Sequence, residues 1–113
     1  MFNLNILVQS LRILQSLPQN DLLLTPKAAK EAELSGYDMI MTMENRHEPF
    51  LALGVAAVNT KSITLGTAVA IAFARSPMVV ANVSWDLQNA SRGRFVLGLG
   101  PQIKPHNERR FSV

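Results

Sequence analysis

The fold is decided by the stretch KSITLGTAVAIAFARSPMVVANVSWDLQNASRGRFVLGLGPQ, which occupies residues 61–102. Its first part predicts an apolar strand that ends near Ile71. Ser76 and Pro77 predict the start of a helix, because serine caps helix N-termini and proline fits the first helical position. A second apolar strand is expected at Arg94–Leu99. Two strands joined by a crossover helix must run parallel, so the stretch predicts a β-α-β unit.

The helix within this stretch has one apolar side at helical spacing, which indicates that it packs on the sheet. That side is formed by Val79, Val80, Val83, Leu87 and Ala90. Asp86, Gln88 and Arg92 are expected to face outward. Gly93 fits the left-handed residue that follows a helix end.

The same order of strand and proline-started helix occurs upstream. A helix is expected from Thr25, the predicted N-cap, to just before Gly36, and a strand follows at Tyr37–Met43. Pro49 opens a second helix that ends near Asn59. Its buried side is expected to contain Phe50, Leu53, Ala57 and Val58.

The first 24 residues carry weaker signals. One strand is expected within Phe2–Val8, where Ile and Val favour extended structure. An irregular or partly helical connection follows, because Leu11, Leu14 and Leu17 have helical spacing while Pro18 interrupts it.

Four parallel strands and three helices are compatible with two architectures. One is an open α/β sandwich, and the other is the first half of an eight-fold barrel, which usually needs about 250 residues. We expect three segments: residues 1–24 hold the first strand and its connection, residues 25–100 hold the β/α units, and residues 101–113 form a polar tail.

Composition excludes several classes of function. The chain has 113 residues, a net charge of +3 and no cysteine, so disulfides and thiolate chemistry are absent. Basic residues form no stripe interleaved with aromatics, which argues against nucleic-acid binding. The longest nearly apolar run, residues 63–74, is too short for a membrane span. No basic segment precedes Leu4–Val8 as in a signal peptide, so we expect a cytoplasmic protein.

Polar residues follow the predicted strands, at the edge where parallel sheets and barrels bind ligands. We call this edge the rim, and its predicted polar residues are Glu44, His47, Arg75, Gln102 and His106. The two histidines lack a helical metal-binding spacing, so no metal site is predicted. Gly98 and Gly100 do not complete a dinucleotide fingerprint. We interpret them as positions where the strand end approaches another backbone or a ligand.

Four blocks in order, LGTAVA, RSPM, WDLQ and GRFVLGLG, resemble the luciferase-like monooxygenase superfamily, in particular its F420-dependent oxidoreductase branch. The resemblance covers about Glu31–Phe111. It implies parallel β/α repeats that form the first half of a TIM (β/α)8 barrel, truncated after about strand 4. It also implies a homo-oligomer, with Trp85 on the subunit interface.

The resemblance further implies a cofactor, F420 or alternatively FMN, and a small organic substrate. By similarity, cofactor-binding positions are Thr42, Thr67, Ala68, Val69, Gly98 and Gly100. Substrate-binding positions are Glu44, Gln102 and His106, and His47 is the candidate catalytic residue. Related enzymes carry a non-prolyl cis peptide, which is expected here at Ala68–Val69.

Two functional hypotheses follow. The first is a fragment of a flavin- or F420-dependent oxidoreductase that transfers hydride to, or oxygenates, a small organic substrate and is not active alone. The second is a non-catalytic half-barrel remnant that acts as an assembly or interaction module.

Overall fold

The structure is a computed structural model that describes residues 11–113. The strand predicted within Phe2–Val8 lies outside the described residues. The strands are β1 Leu14–Ser16, β2 Met39–Thr42, β3 Thr64–Thr67, β4 Ala70–Ile71, β5 Phe95–Val96 and β6 Leu99–Gly100. The helices are α1 Thr25–Leu34, α2 Pro49–Asn59, α3 Pro77–Ser91 and the short α4 Lys104–His106. A 3₁₀ turn covers Ala72–Ala74, and a π-helical turn, Asn107–Phe111, continues α4.

The main sheet contains β1, β2, β3 and β5 in that order, and every neighbouring pair is parallel. Ile40 of β2 is in register with Leu65 of β3, which is in register with Phe95 of β5. A second, two-stranded parallel sheet joins β4 to β6. The prediction of an α/β fold with parallel strands is therefore confirmed.

The core lies between this sheet and the helices. Helix α2 packs against β2 and β3 and also contacts α1 and α3. Ile40, Leu53, Leu65, Leu87 and Phe95 are buried in this layer. Since side chains alternate along a strand, Met39, Met41 and Val96 fall on the opposite face, where they are only partly buried or exposed.

Two predicted continuous strands are each divided. Residues 64–71 form β3 and β4, and residues 94–100 form β5 and β6. The breaks lie opposite each other, because the chain leaves the main sheet at Ala68–Val69 and at Leu97–Gly98 and then pairs again in the second sheet. Apolar composition alone does not show this change of partner, so the sequence predicted single strands.

Residues 14–16 form a strand where a partly helical connection was predicted. Leu14 pairs with Met39, and the N–H of Leu17 donates to the Met41 carbonyl at 2.8 Å. These partners lie about 25 residues away in sequence. The leucine spacing was therefore misleading, because long-range pairing overrode the local pattern.

Helix boundaries agree closely with the predictions, but several caps and faces differ. The predicted N-cap Ser76 accepts a hydrogen bond from Val79 N at 3.2 Å. The N-cap of α1 is Leu24 rather than Thr25, and it makes no side-chain cap bond. Helix α2 is capped by Glu48, which accepts from Phe50 N and Leu51 N. At the end of α3, Arg92 already takes the left-handed conformation before Gly93 does.

Three residues predicted on buried helix faces are exposed, namely Val58, Val79 and Ala90. They lie at the margins of their apolar stripes, beyond the width that the neighbouring helices cover. The predicted polar tail is also partly helical, because α4 and its π-helical turn occupy residues 104–111. In the part of the chain described, no helix has the length and apolarity needed to cross a membrane.

Two charged residues tie together the loops at the amino ends of the strands. Arg94 uses its guanidinium to donate to the carbonyls of Ala57, Thr60, Ile63 and Ser91 and to the Thr60 hydroxyl. One carboxylate oxygen of Glu33 accepts the backbone N–H groups of Lys61, Ser62 and Ile63 at 2.6–3.0 Å. These contacts hold α1, α2 and α3 against the start of β3.

Replacing Glu33 by Gln is expected to make the unfolding free energy of the chain depend less on pH between pH 4.5 and about pH 2. Burial raises the pKa of Glu33, but the hydrogen bonds that its carboxylate accepts lower the pKa by a larger amount. The net result is a pKa of about 2, below the ordinary value of 4.5. Its stabilisation is therefore complete above pH 4.5 and is lost as the pH falls through about 2. At neutral pH the variant should lose about 1 kcal/mol of unfolding free energy in urea denaturation.

The matched control is Glu31→Gln on the same helix, where the carboxylate is exposed and lies 3.8 Å from Lys27 Nζ. This variant should change the unfolding free energy by less than about 0.5 kcal/mol. A difference between wild type and Glu33→Gln that stays constant from neutral pH to pH 2 would contradict the prediction.

Candidate functional site

The carboxyl ends of β2 and β3 lie side by side, since Thr42 and Thr67 are in register. The next peptide, Ala68–Val69, is cis, as predicted. Ala68 N donates to the Thr42 carbonyl at 2.7 Å, and Ala70 N donates to the Gly98 carbonyl at 2.9 Å. The segment between β3 and β4 is therefore held between the ends of β2 and β5. Ala68 and Val69 remain exposed there.

The hydroxyls of Thr42 and Thr67 already have protein partners. Thr42 Oγ1 donates to the Pro49 carbonyl at 2.8 Å and so anchors the start of α2. Thr67 Oγ1 donates to the Gly98 carbonyl and accepts from Gly98 N, at 2.8 and 2.9 Å. Both side chains are buried. The structure thus places these two residues beneath the rim, where they join neighbouring strand ends.

Gly98 and Gly100 permit a close approach that no other residue would allow. A Cβ added to Gly98 would lie 2.0 Å from the Thr67 carbonyl oxygen, and one added to Gly100 would lie 2.6 Å from Val69 Cγ2. The interpretation of these glycines as close-approach positions is therefore confirmed. The neighbours they approach are the backbone of β3 and the side chain of Val69.

Glu44 and Arg75 form a buried ion pair at this edge. Each guanidinium nitrogen, Nη1 and Nη2, lies 2.7 Å from one Glu44 oxygen, so the pair has the strong two-pronged geometry. Arg75 also lies 5.2 Å above the Phe50 ring and 3.3 Å from a Glu48 oxygen. Hydrogen bonding to Glu44 raises the pKa of Arg75 although burial opposes it.

The pairing of Glu44 with Arg75 was missed at the sequence level, although both residues were placed on the rim. A signal was available, because each follows the end of a strand in the same parallel arrangement. The carboxylate of Glu44 is almost fully buried, at 5% exposure. It therefore contacts Arg75 and backbone rather than standing free at the surface.

The other predicted rim residues lie in two segments that touch. His47 is exposed in the loop after β2, and Arg110 donates to the Asn45 carbonyl of that loop. Gln102 follows β6 with a left-handed backbone, and its side-chain oxygen accepts from Ile103 N at 3.1 Å. His106 is half-buried, and its Nδ1 has no hydrogen-bond partner among the described residues.

A groove beside these segments was not predicted. It has a volume of about 550 Å³ and is lined by Phe73, Gln102, Lys104, Asn107, Glu108 and Val113. Asn107 donates from Nδ2 to the Pro101 carbonyl at 2.8 Å, while its buried Oδ1 has no partner within residues 11–113. The sequence held no clear signal for this groove. Most of its lining residues lie in residues 101–113, for which only a polar tail was predicted. Across that same range, no three acidic or histidine side chains converge as metal ligands would.

In the described part of the chain, exposed apolar groups and unpartnered polar groups both occur at this edge. Ala68 and Val69 offer exposed apolar surface, and the backbone beneath them is held by hydrogen bonds on both sides. The unpartnered Asn107 Oδ1 and His106 Nδ1 lie in the segment that follows β6. Apolar surface with a few polar groups is the usual composition of a cofactor site.

A family model described as luciferase-like monooxygenase matches residues 12–113. The chain belongs to the luciferase-like monooxygenase family. The match extends beyond the predicted Glu31–Phe111 and includes β1. The parallel strands and their helices accordingly resemble part of the TIM barrels of this family.

Three similar proteins show which members of this family the chain resembles. It is 53% identical over 94 residues to the uncharacterized protein Rv1360 of Mycobacterium tuberculosis, with 83% of this chain covered. It is 34% identical over 90 residues to 5,10-methylenetetrahydromethanopterin reductase of Methanolobus tindarius, with 78% covered. The solved structure of the coenzyme F420-dependent tetrahydromethanopterin reductase of Methanopyrus kandleri has a TM-score of 0.77 and 25% identity over 87% of this chain.

The chain spans less than a third of each of these proteins. It covers 28% of both sequence relatives and 29% of the solved reductase chain. A luciferase-like barrel is therefore represented here by part of its β/α units.

Replacing Gly98 by Ala is expected to destabilise the junction between β3 and β6. The new Cβ would meet the Thr67 carbonyl at 2.0 Å, and backbone would have to move. We expect a loss of about 1–3 kcal/mol of unfolding free energy in urea denaturation followed by circular dichroism.

The matched control is Gly54→Ala in α2, where the nearest atom would be Leu87 Cδ2 at 3.9 Å. Alanine is the better helix former, so this variant should gain about 0.5–1 kcal/mol. Equal stability of the two alanine variants would show that the close approach at Gly98 has no energetic consequence.

Proposed function

We propose that this chain forms one side of the cofactor mouth of an F420-dependent oxidoreductase that acts on a small organic substrate. The observation that carries the proposal is the convergence of the Ala68–Val69 segment with Gly98 and Gly100 at the carboxyl ends of parallel strands. Family membership supports a flavin-type cofactor. Similarity to two tetrahydromethanopterin reductases, one described as F420-dependent, favours F420 over FMN.

Under this proposal, the exposed Ala68 and Val69 would contact the cofactor ring. Thr42, Thr67 and Gly98 would act beneath them by fixing the backbone, since they are already hydrogen-bonded to one another or to α2. Gly100 would act by leaving room for the Val69 side chain. F420 supplies hydride transfer when bound, and the protein orients it and limits the access of water.

We assign substrate binding and proton transfer to exposed residues at the carboxyl ends of the strands. His47 is proposed as the catalytic residue, because its imidazole is exposed in the loop after β2 and an imidazole can act as a general acid or base. Gln102 and His106 are proposed to contact the substrate from the segment after β6. Glu44 is proposed to act on the substrate side only indirectly, through the structure it holds, because its carboxylate is engaged by Arg75.

A titration with F420 tests the cofactor proposal. We expect saturable quenching of F420 fluorescence by the chain and weaker binding of FMN. Val69→Trp should weaken F420 binding by roughly tenfold or more, because the indole would occupy the exposed surface beside the glycines. The control, Leu34→Trp, places the same indole at an exposed position at the end of α1.

The control variant should bind as wild type does. Absence of F420 binding by wild type, or equal affinities of the two tryptophan variants, would contradict the proposed site. Tighter binding of FMN than of F420 would assign the site to the flavin instead.

We also propose that the chain forms a homo-oligomer through α2 and α3. Leu51 and Val58 are one heptad apart on α2, Met78 and Trp85 are one heptad apart on α3, and all four are exposed. Trp85 is 76% exposed, which is unusual for the largest apolar side chain. Large apolar side chains left exposed on two neighbouring helices support an interface there.

Trp85→Glu is therefore expected to convert an oligomer to monomer in sedimentation equilibrium experiments. The control, Leu34→Glu, introduces the same charge at an exposed leucine on α1. The oligomer should persist in the control. A monomeric wild type would overturn the proposed interface.

The alternative function, an assembly module, is favoured by the outer strands of the sheet. Within residues 11–113, β1 and β5 each pair on one side, and Leu14 and Val96 on them are exposed. Such strands can pair with another chain. An oligomer that persists in Trp85→Glu, together with no binding of F420, would favour this function over the oxidoreductase.

A further inference from the structure

Glu44 contacts the segment between β3 and β4 in two ways. Its backbone N–H donates to the Val69 carbonyl at 3.3 Å, and its Oε2 accepts the N–H of Ile71 at 2.6 Å. One residue in the loop after β2 therefore holds two adjacent peptide groups, Val69–Ala70 and Ala70–Ile71, where the segment enters β4.

The remaining backbone contacts of the segment come from strand ends. Ala68 N donates to the Thr42 carbonyl, and Ala70 N donates to the Gly98 carbonyl. Within the described part of the chain, two contacts of Ala68–Ile71 depend on side chains: the bond from Ile71 N to Glu44 Oε2 at 2.6 Å, and the longer bond from Arg75 Nη1 to the Ile71 carbonyl at 3.4 Å. Substitutions at Glu44 and Arg75 can therefore weaken these contacts without changing the backbone.

Arg75 stabilises the buried carboxylate of Glu44. It binds both oxygens of Glu44 at 2.7 Å, and it is itself fixed by the Phe50 ring and by Glu48 at the start of α2. A buried carboxylate is costly unless it is paired and hydrogen-bonded, and here both conditions are met. The start of α2 is thus connected through Arg75 and Glu44 to Ile71.

We propose that Glu44 is a positioning residue whose carboxylate, held by Arg75, fixes the backbone of Ala68–Ile71 against which the cofactor ring lies. This inference rests on the proposed function for the identity of the ligand. The positioning itself is a property of the chain without any ligand. It assigns a role to the buried Glu44–Arg75 pair that direct substrate contact does not explain.

The experiment compares two glutamine variants of carboxylates that both contact Arg75. Glu44→Gln removes the charge that holds Ile71 and Arg75. Glu48→Gln removes the other carboxylate, which contacts Arg75 and caps α2 but makes no hydrogen bond to Ala68–Ile71. Hydrogen–deuterium exchange of the ligand-free chain is measured by mass spectrometry on peptides that include residues 68–72.

In Glu44→Gln these peptides should exchange roughly tenfold faster than in wild type, because the acceptor for Ile71 N loses its charge and the amide NH₂ group cannot accept from Arg75 as the second carboxylate oxygen does. Peptides from α1 should be unchanged. In Glu48→Gln the peptides that include residues 68–72 should exchange at the wild-type rate. Unchanged exchange in Glu44→Gln, or faster exchange over the whole chain, would overturn the positioning role.

Titration of the same variants with F420 tests the connection to the cofactor. Roughly tenfold weaker binding by Glu44→Gln, with wild-type affinity in Glu48→Gln, supports it. Equal affinities overturn it. If wild type itself binds no F420, the proposed function fails, and the exchange result still decides whether Glu44 positions the segment.

A second variant covers the case in which Glu44→Gln does not fold. Arg75→Lys keeps the positive charge but loses the two-pronged geometry, so the carboxylate stays paired through one bond. We expect faster exchange than in wild type in the peptides that include residues 68–72, and unchanged exchange in α1 peptides. An increase in α1 peptides of the same size would contradict the inference.

Discussion

Parallel pairing of β1, β2, β3 and β5 is the constraint on which the rest of the structure depends. Because every strand enters the sheet in the same direction, all carboxyl ends arrive at one edge. The pairing of Leu65 with both Ile40 and Phe95 also fixes which side chains face the helices. The position of Ala68–Val69 beside Gly98 follows directly from this register.

The two ends of the sheet use charged side chains in different ways. At the amino ends, Arg94 and Glu33 are engaged mainly with backbone carbonyls and N–H groups, which joins the helices to β3. At the carboxyl ends, Glu44 and Arg75 are engaged with each other, and Glu44 reaches Ile71. Exposed polar and apolar groups remain beside the second pair. This difference matches the separation between a stabilising face and a ligand-binding face in β/α barrels.

The chain belongs to the luciferase-like monooxygenase family but spans only part of the length of its relatives. The chain matches the luciferase-like model over residues 12–113 but spans only 29% of the F420-dependent reductase structure that it resembles. The described sheet has a helix-covered face and a face on which Met39, Met41 and Val96 stay partly open. The described carboxyl-end residues are accordingly part of the strand-end edge of a luciferase-like barrel and not the whole of it.

The sequence by itself determined the alternation of strands and helices from α1 to β5, the parallel direction of these strands and the helices begun by Pro49 and Pro77. Family resemblance added the Ala68–Val69 cis peptide. These depend on local signals or on motifs that lie close together in the chain. Only the tertiary structure decided that β3 and β4 are separate strands, that Leu14–Ser16 pairs with β2, and that Glu44 binds Arg75. Each of these depends on partners about 25 or more residues apart, and spacing along one segment carries no information about such partners.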